Sequence, residues 1–157
     1  MVGTIEPRKG HLQAIAAFEL LWARGVEATL VIVGQEGWKV LPDAQRRTIP
    51  RIVETLRTHP ERGRRLFWLE GISDEYLQAV YAGSTCLIAA SEGEGFGLPL
   101  IEAAQQGLPI LARDLPVFRE VAGEQAIYFS GQAAVDLADA VEDWLARFRR
   151  GETPDPA

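Results

Sequence analysis

The sequence predicts an α/β fold with a doubly wound parallel sheet of about six strands and helices on both faces. Short, continuously apolar runs alternate along the chain with longer segments whose apolar residues recur at helical spacing. Apolar runs without polar alternation are typical of parallel strands that are buried on both faces. Glycine or a polar residue follows most of these runs, at the sheet edge where ligands bind in doubly wound folds. We therefore expect a ligand site in the loops that follow the strands.

The first half of the chain is predicted to hold three strands and three helices. The strands are expected over residues 1–5, 28–33 and 66–69, and the helices over 11–24, 42–58 and from Asp74 onward. The second helix is expected to be interrupted near Pro50, and Ser73 is expected to cap the third. Helical spacing predicts that the first helix buries Leu12, Ile15, Ala16, Glu19 and Leu20, and that the third buries Leu77, Val80 and Tyr81. Because a strand opens at residue 1, we expect the chain to be a fragment of a longer protein.

The second half repeats the alternation. Strands are expected over 86–90, 109–112 and 126–129, and helices over 99–106, 116–120 and 134–150. Residues 1–150 are thus predicted to form one domain, and residues 151–157 a disordered tail.

Composition excludes several classes of protein. The chain has 157 residues and a formal net charge of −6, whereas broad nucleic-acid binding needs a basic face. Its single cysteine, Cys86, lies in an apolar run and is expected to be a buried, inert thiol. With no signal peptide and no apolar run of about 18 residues, the protein is expected to be cytoplasmic and to have no transmembrane segment. A peripheral membrane association stays open for the full-length protein.

A glycine-rich turn between the strand over 86–90 and the next helix is the most informative stretch. Gly93, Gly95 and Gly97 allow a ligand to approach the backbone closely, and Pro99 suits the first turn of a helix. The free N–H groups at such a helix end favour an anion such as phosphate.

Two carboxylates, Glu94 and Glu102, flank this turn with seven residues between them. Carboxylates beside a phosphate site are unfavourable unless they bind something else, and sugar hydroxyls are the natural candidates. The residues alone therefore indicate a site for a phosphorylated sugar or a nucleotide. A purely structural reading, in which both carboxylates stabilise a helix N-terminus, contributes only about 0.3–1 kcal/mol.

The first loop, over residues 6–10, lacks the G-x-G-x-x-G pattern of a dinucleotide site and carries Arg8 and Lys9 instead. These cations are compatible with an anion site and also with a solvated loop. His11, which follows them, is expected at the surface or beside the loop.

This arrangement of strand, glycine turn and helix resembles the E-x7-E motif of family 4 glycosyltransferases, which have the GT-B fold. The resemblance runs from Val2 to about Phe129 and matches the C-terminal half of those enzymes, which binds the nucleotide-diphosphate sugar. It implies that Glu102 accepts hydrogen bonds from the ribose and that Glu94 binds the transferred sugar.

The resemblance also implies roles for backbone and loop residues. The amides around Gly95, Phe96, Gly97 and Leu98 would hold the sugar and phosphate, and Gly71 and Ile72 would meet the base. Lys9, with Arg8, would neutralise the departing diphosphate, so that Lys9 and Glu94 are the expected catalytic pair. Many family members have an arginine where this chain has Thr4, a departure for which Arg8 would compensate. Such enzymes work without a metal cofactor and retain the anomeric configuration.

The opening segment and the loop after Gly34 resemble those of bacterial mannosyl- or rhamnosyltransferases of surface-polysaccharide assembly. This implies GDP-mannose as the sugar donor and a glycan or lipid-linked acceptor bound by an N-terminal domain that this chain lacks, so that the chain alone would transfer little. The alternatives are a non-catalytic nucleotide-sugar-binding or regulatory module and another GT-B enzyme, such as a phosphorylase or a sugar-nucleotide epimerase.

Overall fold

The computed structural model describes residues 1–94 and 96–155, in which five strands and six α-helices alternate. The strands are β1 (Leu30–Val33), β2 (Leu66–Leu69), β3 (Leu87–Ala89), β4 (Ile110–Arg113) and β5 (Ala126–Phe129). The helices are α1 (His11–Ala23), α2 (Ile49–Thr58), α3 (Asp74–Gly83), α4 (Leu98–Gln105), α5 (Pro116–Ala122) and α6 (Ala134–Arg149). The predicted α/β class is confirmed, and, apart from the strand over 1–5 and the start of α2, the observed elements lie within a few residues of the predicted ones.

All strand pairs are parallel, as the continuous apolar runs predict. β1 pairs with β2 in one sheet, and the order β3-β4-β5 forms a second sheet. The described residues contain five strands rather than the predicted six, because the segment 1–5 makes only isolated bridges, from Val2 to Val33 of β1 and from Ile5 to Glu36 in the loop after it. The segment passes close to Gly34, where an added Cβ would lie 2.7 Å from the carbonyl carbon of Gly3.

The core has two layers, one on each face of the strands. Along β3, Leu87 and Ala89 pack into one buried cluster, whereas Ile88 packs into the other. This alternation follows from the strand geometry, in which successive side chains point to opposite faces. Helices α1, α2 and α6 cover one face, and helices α3, α4 and α5 cover the other. The prediction of helices on both faces is thereby confirmed.

The predicted buried side of α1 was only partly right. Ile15 is buried, but Glu19 and Leu20 are exposed, and the buried residues are His11, Ala14, Ile15, Ala17, Phe18 and Leu21. Helix α6 packs along α1, and α1 is apolar on most of its circumference. Its sequence therefore does not define one narrow apolar stripe.

The segment predicted as a helix over 42–58 is helical only from Ile49. Pro50 lies in the first turn of α2 rather than in the middle of a longer helix, which is where proline costs least because no N–H is needed there. The preceding residues form a loop with a short 3₁₀ turn, Asp43–Gln45. Arg46 is buried in this loop and donates to a Glu36 carboxylate oxygen at 2.9 Å.

Candidate functional site

Two loops at the carboxyl edge of the strands are joined by a backbone hydrogen bond. The amide of Glu92, after β3, donates to the carbonyl oxygen of Arg8 at 2.8 Å. Gly10 caps α1 in the left-handed conformation, with φ of 78°. A Cβ on Gly10 would lie 2.8 Å from the Cβ of Ala90 and closer still to the Ala90 carbonyl oxygen. The loop after the first segment therefore reaches the end of β3 only because residue 10 is glycine.

This close approach places Lys9 beside Glu94. The Lys9 Nζ lies 2.9 Å from Oε1 of Glu94 and 2.7 Å from Oε2, so the ammonium contacts both carboxylate oxygens. The side chains are only 23% and 14% exposed, respectively. The structure thus brings together the two residues that the sequence predicts to act on the two halves of the ligand.

The start of α4 forms the next part of the site. Gly97 caps the helix with φ of 67°, and its carbonyl oxygen accepts from the Leu100 amide at 3.0 Å. Phe96 and Leu98 are 78% and 58% exposed, so the chain at this helix end is open to solvent. The predicted role of Gly95 falls outside the described residues. Amides at this position can hold an anion, because the N-terminal end of the helix dipole faces it.

Glu102 lies further along α4 and has a partner that the sequence did not predict. Its side chain is on an exposed residue, and Oε2 accepts a hydrogen bond from the Tyr81 hydroxyl at 3.0 Å. Tyr81, on α3, is only 4% exposed. Burial, followed by the hydrogen bond to Glu102, raises the pKa of Tyr81 well above its ordinary value of 10. The hydroxyl therefore stays protonated and acts as a hydrogen-bond donor.

The remaining predicted positions lie in loops of the same edge. Gly71 follows β2 with φ of 61°, and Ile72 beside it is half-buried. The side chains of Arg8 and Thr4 are exposed. These placements leave the predicted contacts to the base and to the diphosphate as predictions.

His11 was expected at the surface or beside the first loop; it does lie beside that loop, but it is buried rather than at the surface. It is the first residue of α1 and only 3% exposed, and within the described part of the chain its Nδ1 atom has no hydrogen-bond partner. Burial, together with the nearby N-terminal ammonium and Lys9, lowers the pKa of His11 from 6.5 to about 4. The imidazole is therefore neutral at physiological pH and adds no positive charge beside Lys9.

Arg113 contacts the backbone just after β3, next to the site, and we predicted no role for it from the sequence. It ends β4, is 4% exposed, and donates to the carbonyl oxygens of Ala90, Ser91 and Gly131 at 2.6–3.2 Å and to the Gln13 side chain. A guanidinium with five donors in a fixed plane suits such a set of acceptors. The signal for it was a charged residue directly after an apolar run.

Neither a reactive thiol nor a metal-binding cluster occurs among the described residues. Cys86 was expected to be buried and is only partly so, and desolvation raises the pKa of its thiol to about 12. Among residues 1–94 and 96–155, no cluster of three histidine, cysteine or acidic side chains could hold a metal ion. None of the helices in this part of the chain has the length and apolar character that crossing a membrane requires.

A comparison with family models identifies the family of this chain. The model described as glycosyl transferases group 1 matches residues 1–150. The chain belongs to the group 1 glycosyl transferases. The family that the E-x7-E motif predicted is thereby confirmed.

Relatives of this glycosyl transferase chain point in the same direction. It is 55% identical over 154 residues to an Escherichia coli protein named serotype-specific mannosyltransferase WbdA, covering 98% of this chain and 18% of that protein. It is 29% identical over 130 residues to the Escherichia coli O-antigen chain mannosyltransferase B, covering 80% of this chain and 31% of that one. The chain thus spans less than a third of the length of these curated relatives.

A solved structure shows the same fold. The C-terminal domain of a glycosyl transferase group 1 family protein from Francisella tularensis superposes with a TM-score of 0.75 over 97% of this chain and 77% of that one. The sequence identity is 17%, so this likeness concerns the fold alone.

Proposed function

We propose that this chain is the sugar-donor-binding domain of a retaining glycosyltransferase that transfers mannose from GDP-mannose to a glycan or lipid-linked acceptor. The observation that carries the proposal is the Lys9–Glu94 pair, with Nζ to Oε distances of 2.7 and 2.9 Å, at the edge where α4 begins. A cation for phosphate and a carboxylate for hydroxyls stand side by side, as a sugar diphosphate requires.

The pair suits an exchange of partners when the sugar donor binds. The Lys9 ammonium would bind the diphosphate instead of Glu94. Hydroxyls of the sugar would then donate to the Glu94 carboxylate. Each new contact involves a charged group, so each hydrogen bond is stronger than one between neutral groups. Because the two residues are only 23% and 14% exposed, screening by solvent weakens these interactions less than on an open surface.

Glu102 would bind the ribose hydroxyls of the nucleotide. Oε2 already accepts the Tyr81 hydroxyl at 3.0 Å, and the other oxygen, Oε1, is available to a ligand. Two carboxylates on one ligand then have separate roles, one for the nucleoside and one for the transferred sugar. They do not form the acid and base of a hydrolase.

Departure of the nucleoside diphosphate would be assisted by Lys9 rather than by a metal ion. Negative charge grows on the diphosphate as the glycosidic bond breaks, and a positioned cation stabilises that charge. Arg8, exposed in the same loop, would add a second positive charge.

The mannose assignment rests on the two relatives described above, both of which are named mannosyltransferases and one of which names the O-antigen. We extend that role to this chain as synthesis of a bacterial surface polysaccharide by a cytoplasmic, membrane-peripheral enzyme. The acceptor would be bound by parts of such a protein outside this chain, since the chain corresponds to 18% of the 55%-identical relative.

Calorimetric titration tests the proposal directly. The chain is titrated with GDP, UDP, ADP and dTDP, and then with the corresponding nucleotide sugars, in buffer that contains a chelator. We expect selective binding of GDP and GDP-mannose, at high micromolar to millimolar affinity, with no change when magnesium is added. Preference for another base would overturn the GDP-mannose assignment, and failure to bind any nucleotide would overturn the sugar-donor site.

Two substitutions separate the roles of the carboxylates. Glu102→Ala should weaken GDP and GDP-mannose equally, by about tenfold or more, because it removes charged hydrogen bonds to the ribose. Glu94→Ala should weaken GDP-mannose by a similar factor but leave GDP unchanged or bound more tightly, because Lys9 loses a competing partner. The same titrations measure both effects. An equal loss for both ligands in Glu94→Ala would contradict its contact with the sugar.

A further inference from the structure

Tyr81 combines a buried ring with a hydroxyl that reaches an exposed residue of the site. It is 4% exposed and packs in the same core cluster as Leu100 and Ala103 of α4. Its hydroxyl donates to Oε2 of Glu102 at 3.0 Å, across 21 residues of sequence. We propose that Tyr81 is a positioning residue that holds the Glu102 carboxylate in the orientation needed for the ribose of the nucleotide. This inference rests on the sugar-donor site proposed above.

Packing alone does not account for the hydroxyl. A phenylalanine would fill the same space without placing a polar group in the core, where an unpartnered hydroxyl is costly. The Tyr81 hydroxyl has a hydrogen-bond partner here. The ring is buried, and the oxygen reaches the edge of the core, where it donates to Glu102. Burial and the Glu102 carboxylate both raise the pKa of Tyr81, so the proton remains available to donate.

The hydrogen bond restricts a side chain that would otherwise move freely. A glutamate on an exposed helix position samples several rotamers, and fixing it on ligand binding costs side-chain entropy. Tyr81 cannot adjust in the same way, because the core surrounds its ring. Anchoring Oε2 to this rigid donor limits the carboxylate to few orientations and leaves Oε1 for the ligand. The affinity for ribose hydroxyls should therefore depend on a residue that does not contact the nucleotide.

The test compares GDP with 2′,3′-dideoxy-GDP, which lacks the ribose hydroxyls. Calorimetry on the 157-residue chain gives the ratio of the two dissociation constants for the original protein and for Tyr81→Phe. We expect the original chain to prefer GDP, and Tyr81→Phe to reduce that preference by about threefold to tenfold. Binding of the dideoxy analogue itself should change little. A residue that only stabilises the fold would leave the ratio unchanged.

Tyr128→Phe provides the matched control. The Tyr128 hydroxyl donates to the carbonyl oxygens of Gly123 and Phe118 at 2.7 and 3.3 Å, in the same core cluster but away from Glu102. Its removal should lower the unfolding temperature and leave the ratio for the two nucleotides as it was. Thermal unfolding of all variants confirms that each is folded at the titration temperature.

Each outcome decides a separate point. A lower preference for GDP in Tyr81→Phe, but not in Tyr128→Phe, supports the positioning role. An unchanged preference in Tyr81→Phe overturns that role and leaves the sugar-donor site standing. An original chain that does not bind GDP, or binds it no better than the dideoxy analogue, overturns the ribose site and the positioning role together.

Discussion

Lys9→Ala should reduce the rate of mannosyl transfer by about 10²–10³ in the full-length transferase proposed here, the range for loss of one well-placed electrostatic stabiliser. Lys9 is held 2.7 Å from Glu94, so its ammonium is already at the site before charge develops on the leaving diphosphate. Its removal also leaves the Glu94 carboxylate unpaired, which repels the diphosphate. In this chain the same substitution should weaken GDP binding by about tenfold or more.

Lys39→Ala is the control, because Lys39 is the other lysine of the chain and is exposed in the loop after β1. It should leave transfer and GDP affinity as they were. The double variant Lys9→Ala/Glu94→Ala separates the two causes, because the repulsion from Glu94 is then absent. A transfer rate in Lys9→Ala within about threefold of the original would contradict electrostatic assistance by this lysine.

The strands and the central turn were predictable because their signals are local. A run of apolar residues followed by glycine and then by a proline-started helix defines β3, the turn and α4 within about twenty residues. The spacing of Glu94 and Glu102 is also local, so the sequence alone identifies both carboxylates, and the roles that the family resemblance implies for them stay predictions. The missing sixth strand depends instead on how residues 1–5 pair with residues 33–36, where only isolated bridges form, and no single segment encodes that pairing.

The supporting residues were not predictable, because their partners are far away in sequence. Tyr81 and Glu102 are 21 residues apart, and Arg113 is 23 residues from the Ala90 carbonyl oxygen that it contacts. Periodicity identifies Tyr81 as buried but does not show where its hydroxyl points. His11 comes soon after two cations, which suggests a solvated position, but it is the first residue of α1 and is buried. Tertiary packing, rather than local preference, determines these environments.

Gly10→Ala should destabilise the fold by about 2–5 kcal/mol, since alanine in the left-handed region costs about 1–2 kcal/mol and a forced contact with rigid neighbours adds about 1–3 kcal/mol. The added Cβ would lie 2.8 Å from the Ala90 Cβ and nearer to the Ala90 carbonyl oxygen, so the loop or the end of β3 must move. Denaturant unfolding measures the loss. Because Lys9 precedes Gly10, the same shift should weaken GDP binding.

Gly25→Ala isolates the contact from the conformational strain. Gly25 lies just beyond the other end of α1 with φ of 78°, the same value as Gly10, but an added Cβ there meets no atom within 4 Å. It should therefore cost only the strain of about 1–2 kcal/mol and leave GDP affinity unchanged. The difference between the two variants measures how much stability depends on holding the Lys9 loop against β3. Equal losses of stability in the two variants would mean that the loop can move away from β3 without further cost. The Lys9–Glu94 pair would then not depend on Gly10.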